Sequence, residues 1–491
     1  MIFSSFLYAA IFLPFAVIGF FLAHRFIGNR AAIAFLVLAS WFFYAYWKPV
    51  YLPLLLLSIV FNYNIALGLR RRKSEARLWT GIAANLLFLG YFKYMDFFIA
   101  NVNFLTGSTW PALNIILPLG ISFHTFQQIA YLVDTYKGKT GNDSFLNYSL
   151  FVSFFPQLIA GPIVHWREMM PQFEETEKRA FVMDNFVKGL NIFILGFLKK
   201  VLIADSLSAM VDPFFDKAGS LDMAAAWISS LGFMLQLYFD FSAYSEMAIG
   251  SALMMNIKLP VNFNSPYKAG NIHEFWSRWH ITLTRWFFQY TFIPLMARWS
   301  KKRESEPVSP DRNFIVLISV TFIVFTLSGL WHGAAWTFII WGALHGLALS
   351  VYRLWTARDL AMPPAVAKAL TFIFLLFAAT IFRHNNLGDL GRHLAAMFGA
   401  HGLIDADPKN LSDIYDGIKM LIIPVYITYY MPNTLEIVGY DRMQKTSLPW
   451  QSGLLKITGR PLAPVACGAL FALALLKVVA SGNTPFIYFA F

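Results

Sequence analysis

The 491-residue sequence predicts an all-α polytopic membrane protein, a bundle of roughly eleven transmembrane spans with additional re-entrant or interfacial helices. Three observations predict it. The chain is 57% hydrophobic and 13% charged, against roughly 25% charged for an ordinary soluble domain. Apolar runs long enough to approach or cross a hydrocarbon core of about 30 Å recur from one end to the other. The short loops between them carry clustered basic residues, the pattern of cytoplasmic loops in a membrane protein.

Taken in order, the runs lie near 4–23, 32–47, 51–69, 79–100, 113–133, 145–164, 186–204, 224–255, 314–330, 334–352, 366–383, 415–430 and 460–480. Several contain Pro or Gly and fall below about 20 residues, so roughly eleven rather than all of them are expected to span. Met1 leads directly into apolar sequence without a basic region, so no cleavable signal peptide is expected. The polar interruptions near 101–112, 165–183, 297–312, 384–414 and 431–458 are too short for a globular enzyme, and no repeat or low-complexity tract is seen. The expectation is one integral-membrane domain, residues 1–491.

Basic residues cluster at Arg25 and Arg30, at Arg70, Arg71, Arg72, Lys73 and Arg77, at Lys137 and Lys139, and at Lys301, Lys302, Arg303 and Arg312. If these loops face the cytoplasm, the N-terminus lies outside. The net charge of +12 then reflects contact with anionic lipid head groups and needs no nucleic acid. The single cysteine, Cys467, has no internal disulfide partner and reads as a small apolar-run residue.

Residues Phe314 to Val351 contain no acidic or basic side chain yet hold His332 and His345. A charged side chain at the centre of a spanning helix costs roughly 2.5 to 3.5 kcal/mol on insertion scales. An imidazole there is therefore expected to be neutral, to face protein or a water-filled cavity, and to mark a functional site. A neutral imidazole can accept a proton; the bland alternative for His332 is an interhelical hydrogen bond.

The segment Asn271 to Leu295, NIHEFWSRWHITLTRWFFQYTFIPL, is amphipathic if helical: Glu274, Arg278 and Arg285 share a stripe, as do Trp279 and Trp286, and His273 and His280 are seven apart. It reads either as an interfacial helix with snorkelling arginines or as a helix across a cavity that aims His280 or Arg278 at a substrate. The run LQLYFDFSAYSEMAIG places Gln236, Asp240 and Glu246 inside a span. Intramembrane carboxylates are expensive unless paired, so a structural ion pair with Lys or Arg stands beside a functional role. His124, Gln127 and Gln128 lie in a further apolar run, and Gly161 and Pro162 mark a broken helix of the kind tolerated only against protein or water.

These segments resemble the membrane-bound O-acyltransferase (MBOAT) family, within it the bacterial branch that includes alginate O-acetyltransferase membrane subunits. The resemblance rests on LPLGISFHTFQ at 117–127, FFPQLIAGPI at 154–163, QLYFDFSAYSEMAIG at 236–250, EFWSRWHITLTRW at 274–286, LSGLWHGAAWTFIIWGALHG at 327–346, PNTLEI at 432–437 and the terminal PFIYFAF. It implies a helical bundle around a central channel, with an acyl donor arriving from the cytoplasm and an acceptor from the other face. It places the family's membrane histidine on His332, as catalytic base, and its second position on His280, which orients substrate. Asp240, Arg278, Trp279, Trp331, Trp336 and His345 are the candidate substrate-binding residues. Where the branch continues from the amphipathic helix into a Gly-Gly-Asn-Arg or Gly-Gly-Ser-Arg stretch, this chain reads MARWSKKRESEPVSPDR. Ala243 and Glu246 also stand where Gly and Asp are commoner.

The chemistry fits independently of the family. Acyl transfer from a thioester needs a base that works near neutral pH and a group that stabilises the oxyanion. A dry imidazole supplies the first and tryptophan N–H groups can serve the second. Gly329, Gly333, Gly342 and Gly346 are expected to let helices approach around the site. The expected protein is a bacterial inner-membrane O-acetyltransferase of exopolysaccharide or alginate biosynthesis. It holds no bound cofactor or metal, uses acetyl-CoA as donor, modifies an extracytoplasmic polysaccharide and works with a separate periplasmic esterase-like partner. D-alanyl transfer from a carrier protein, or glycan or proton transport without covalent chemistry, are the competing readings.

Overall fold

The computed structural model of the chain describes residues 1–174, 180–217, 219–300, 310–440, 462–482 and 484–487, and among them every regular element is helical. Lys301, Lys302, Arg303, the side chain of Arg312 and most of the 431–458 loop lie outside the described residues. Among the described residues six helices are long and apolar enough by themselves to cross a membrane: Leu7–Phe26, Pro49–Arg71, Glu75–Thr106, Asn313–His332, Trp336–Thr356 and Pro364–Arg383. Two shorter apolar helices, Asn29–Ala45 and Cys467–Ala480, accompany them. Large apolar side chains point outward along this set, with Phe15, Leu57, Leu87, Ile315 and Leu473 all more than 60% exposed. In water such a surface would be an aggregation liability; against lipid it is the solvated face.

In chain order the helices used below are α1 (Leu13–Phe26), α2 (Asn29–Ala45), α3 (Leu52–Arg71), α4 (Glu75–Thr106), α5 (Ile121–Tyr136), α6 (Phe145–Ser153), α7 (Trp166–Glu174), α8 (Met183–Leu198), α9 (Asp205–Asp216), α10 (Met223–Met254), α11 (Ile272–Arg278), α12 (Ile281–Phe287), α13 (Ile293–Trp299), α14 (Pro310–His332), α15 (Trp336–Thr356), α16 (Pro364–Arg383), α17 (Leu387–Met397), α18 (Pro408–Tyr430), α19 (Thr434–Val438) and α20 (Leu462–Ser481).

Several runs expected to span are broken instead. The 113–133 run is non-helical up to Leu117, with a turn at 119–120, and becomes helical only at Ile121, behind Pro118 and Gly120. The 145–164 run ends its helix at Ser153, and residues 154–165, with Pro156 and Pro162, cross the interior without regular helix. Proline removes a backbone donor and collides with the preceding turn. The freed backbone groups are met by protein: Ser40 Oγ accepts from Phe155 N at 3.0 Å and Thr282 Oγ1 accepts from Ile163 N at 3.0 Å. Irregular backbone at this depth survives because it is walled by protein.

Helix α10 is the axis of the bundle. It is buried without interruption from Phe233 to Met254 and packs on α8, α9, α16, α17 and α18. Its carboxylates are held by the segment that follows α8, where Lys199 pairs with Glu246 at 2.7 Å and Lys200 with Asp240 at 2.6 Å. Lys200 also meets Asp205 at 2.6 Å, and Asp240 Oδ2 accepts from Ile487 N at 2.9 Å. The expected structural ion pairing is what the bundle contains.

Helices α14 and α15 run antiparallel with their backbones in contact. A Cβ built on Gly329 would lie 2.9 Å from Gly342 Cα, one on Gly346 would lie 2.9 Å from Phe322 Cα, and one on Gly342 would collide with the Phe325 carbonyl oxygen. Only hydrogen fits along this seam, which is the small-residue packing expected where lipid supplies no hydrophobic drive between helices. Gly342→Val is therefore expected to destabilise the protein by about 1–3 kcal/mol through overpacking. A lowered thermal midpoint in detergent checks it; an unchanged midpoint would show that the helices separate without cost.

Candidate active site

The break between α11 and α12 puts His280 at a bend, with left-handed backbone angles (φ 41°, ψ 50°) that a non-glycine residue rarely adopts. Such conformations cost about 1–3 kcal/mol and persist where the surroundings fix them. Here the irregular segment before α11 does so: Asn262 O accepts from Ile281 N at 3.0 Å, and Asn264 N donates to Arg278 O at 2.9 Å. The bend turns the imidazole away from the helix surface and into the bundle, where it is 1% exposed.

Its hydrogen bonds fix its tautomer. Asn262 Oδ1 accepts from Thr282 Oγ1 at 2.8 Å and from Thr282 N at 3.3 Å, so that atom is the carbonyl oxygen. His280 Nδ1 lies 3.0 Å from the same oxygen and must donate to it. Nε2 therefore carries the lone pair of a neutral ring, and it is buried without a hydrogen-bond partner. The amide side of Asn262 donates to Ser245 of α10 at 3.2 Å, which anchors the orienting residue to the bundle axis.

That ring lines a chamber shared with His332 and His345, walled by Trp279, Trp341 and Phe382 among others. The His280 and His332 ring centroids are 6.4 Å apart. His332, the last residue of α14, is packed edge-on against Trp341 at 5.1 Å and Phe382 at 5.3 Å. His345 accepts from Trp276 Nε1 on Nδ1 at 3.3 Å and stands against Trp341 at 4.6 Å. The chamber offers about 40 Å³ to the centre of a water molecule, where one water needs roughly 10–15 Å³. It has room for a few waters or a two-carbon group. No carboxylate lines it among the described residues.

Two of its walls, Tyr267 and Leu375, also line a neighbouring cavity of about 330 Å³ that contains Lys368 and Tyr429. Lys368 Nζ lies 5.4 Å above the Tyr429 ring. Lys268, beside this cavity, donates to Met431 O at 2.7 Å.

The structure thus brings His332, His280, His345 and Trp279 to one chamber. Trp331 stands immediately behind it, 5.1 Å from the His332 ring and 6.3 Å from His280. Three expected contributors lie elsewhere. Asp240 is enclosed in the Lys200 pair. Arg278 donates through Nε and Nη2 to Glu274 Oε1, at 3.0 and 2.6 Å. Trp336 is half exposed and donates to Asn101 at 2.9 Å. The sequence reading missed Asn262, one of several polar residues in a connecting segment, and Trp341 and Phe382, which apolar context hides. It also missed Lys93, whose charge inside the 79–100 run was a readable signal.

Comparison with known proteins agrees with this architecture. A profile of the MBOAT, membrane-bound O-acyltransferase family, matches residues 141–388. The chain is 40% identical to a peptidoglycan O-acetyltransferase of Helicobacter pylori, covering 100% of this chain and 98% of that protein. It is 34% identical to a probable alginate O-acetylase of Azotobacter vinelandii, over the whole of both chains. It is also 29% identical to a teichoic acid D-alanyltransferase of Bacillus subtilis, over 55% of this chain and 70% of that one.

Two variants separate chamber from scaffold. Asn262→Ala removes the acceptor that holds His280 in one tautomer, and kcat is expected to fall about tenfold or more with protein level maintained. Asp240→Asn is expected to lower folded yield while kcat per folded molecule stays near wild type. A selective rise in acceptor KM in Asp240→Asn would put that carboxylate back at the substrate.

Proposed function

Because the chain belongs to the membrane-bound O-acyltransferase family, we propose that the chamber transfers an acetyl group from a cytoplasmic thioester, acetyl-CoA, toward hydroxyls of an extracytoplasmic polysaccharide. The observation that carries this reading is the pair of buried imidazoles, 6.4 Å apart, in a chamber with room for a two-carbon group. The protein is multi-pass and an O-acyltransferase by family; the proposal places it in a bacterial inner membrane, and the basic loops support an orientation with the N-terminus outside.

The chemistry then runs within the chamber. The His332 imidazole takes the proton of the attacking hydroxyl as its oxygen bonds to the thioester carbon. When the tetrahedral intermediate collapses, the C–S bond breaks, and the imidazolium returns the proton to the departing sulfur. His280, locked with Nδ1–H on Asn262, offers Nε2 only as an acceptor, so it orients the acceptor by receiving a second hydroxyl hydrogen of the glycan while the attacking hydroxyl gives its one proton to His332. No metal is needed to balance these steps.

The larger cavity beside Lys368 suits the donor's approach, since Lys268 and Lys368 offer positive charge to the phosphates of coenzyme A while the thioester reaches past Tyr267. The acceptor is proposed to be a polysaccharide of the exopolysaccharide or alginate kind, reached through a separate periplasmic esterase-like partner. The relatives' names support a glycan acceptor. D-alanyl transfer is the second reading, supported by the Bacillus subtilis relative. With no carboxylate among the described residues that line it, the chamber favours a neutral acetyl over an alanyl group, whose ammonium would be left unpaired there.

His332→Ala is expected to abolish polysaccharide acetylation with membrane level unchanged, and normal acetylation in that variant would remove His332 from the mechanism. Purified protein in vesicles supplied with a polysaccharide acceptor should release free thiol from acetyl-CoA as the acetyl group moves to the hydroxyl; indifference to every acyl thioester would favour transport instead.

A further inference from the structure

Lys93 sits in the middle of α4, within the apolar sequence LLFLGYFKYMDFF. An ammonium group at that depth is expensive unless partnered, and among the described residues no carboxylate pairs with it. Its partners are the end of the histidine-bearing helix: Nζ donates to Trp331 O at 2.5 Å and to His332 O at 2.8 Å. The next residue, Tyr94, donates its hydroxyl to Leu330 O at 2.7 Å. The last four carbonyls of a helix have no partner within it. Three consecutive ones in α14 are met by two adjacent side chains of α4.

The same helix grips the far side of the break. Asn101 Oδ1 accepts from Trp336 Nε1 at 2.9 Å, and the Phe97 and Trp336 rings are 5.9 Å apart. Helix α4 therefore clamps both the last turn of α14 and the first residue of α15, with residues 333–335 between them. The Lys93 ammonium also lies 5.7 Å over the Trp331 ring, which stacks on Phe126 at 5.3 Å. A cation at a helix C-terminus is further favoured by the helix dipole.

We infer that Lys93, assisted by Tyr94, is a positioning residue for acyl transfer: by capping Leu330, Trp331 and His332 it fixes where α14 stops and hence where the His332 ring stands in the chamber. The inference rests on His332 being the base. A displacement of about 1 Å at a reacting group can cost about a hundredfold in rate, whereas donor binding in the neighbouring cavity involves other residues.

The test measures thiol release from acetyl-CoA by the full chain in vesicles, as kcat and KM per folded molecule, with alginate oligosaccharides as hydroxyl acceptor. Lys93→Met is expected to lower kcat about 30- to 100-fold with KM for acetyl-CoA within about twofold. Lys93→Arg, which can still donate to two carbonyls, should recover to within about tenfold of wild type. Tyr94→Phe, which removes one hydroxyl, should lower kcat several-fold and serves if Lys93→Met does not accumulate. Wild-type kcat in Lys93→Met, a loss confined to KM, or full activity in Tyr94→Phe when Lys93→Met is absent would overturn the inference, provided His332→Ala is inactive. If His332→Ala is itself active, the base assignment fails instead.

Discussion

The glycine seam between α14 and α15 is the contact on which the rest depends. With Gly329 and Gly342 backbones touching, the two helices are close enough that His332 at the end of one and His345 within the other reach the same chamber. Side chains in place of those hydrogens would widen the gap and draw the two rings apart. The hydrophobic effect cannot hold such a seam together in lipid, so close van der Waals packing and hydrogen bonds must.

A second constraint follows from depth. Polar atoms surrounded by hydrocarbon must find partners within the protein, and the bundle meets this in two distinct ways. Its carboxylates are neutralised by adjacent lysines: Lys199 and Lys200 meet Glu246 and Asp240 across the central helix. Around the chamber no carboxylate is among the described lining residues, and the hydrogen bonds there fix orientation instead, as Asn262 does for His280. The contrast separates scaffold from site. The carboxylates of the central helix are consumed in pairs with lysines, whereas at the chamber the His280 ring keeps one nitrogen buried without a hydrogen-bond partner.

The chamber is small and apolar-walled, and the cavity beside it is larger and contains Lys368. Tyr267 and Leu375 border both. In the proposed reaction a donor held in the larger cavity stays outside a dry reaction space, so that water does not compete with the hydroxyl for the thioester.

The sequence by itself determined the class of the protein and the identity of its central histidines. Low charge, recurrent apolar runs and histidines isolated in hydrocarbon are local facts, legible because lipid penalises each polar residue individually. It also showed that Asp240 needed a partner, but not which one. Only the tertiary structure decided that the partner is Lys200, that Arg278 is consumed by Glu274, that Trp336 faces outward, and that Asn262 and Lys93 hold the two histidine segments. These outcomes depend on which residues far apart in the chain meet in space, and hydropathy carries no record of such pairings. The break at Gly161 and Pro162 was legible, since proline announces it, but which distant segments wall the freed backbone, Ser40 at Phe155 and Thr282 at Ile163, was decided only by the tertiary structure.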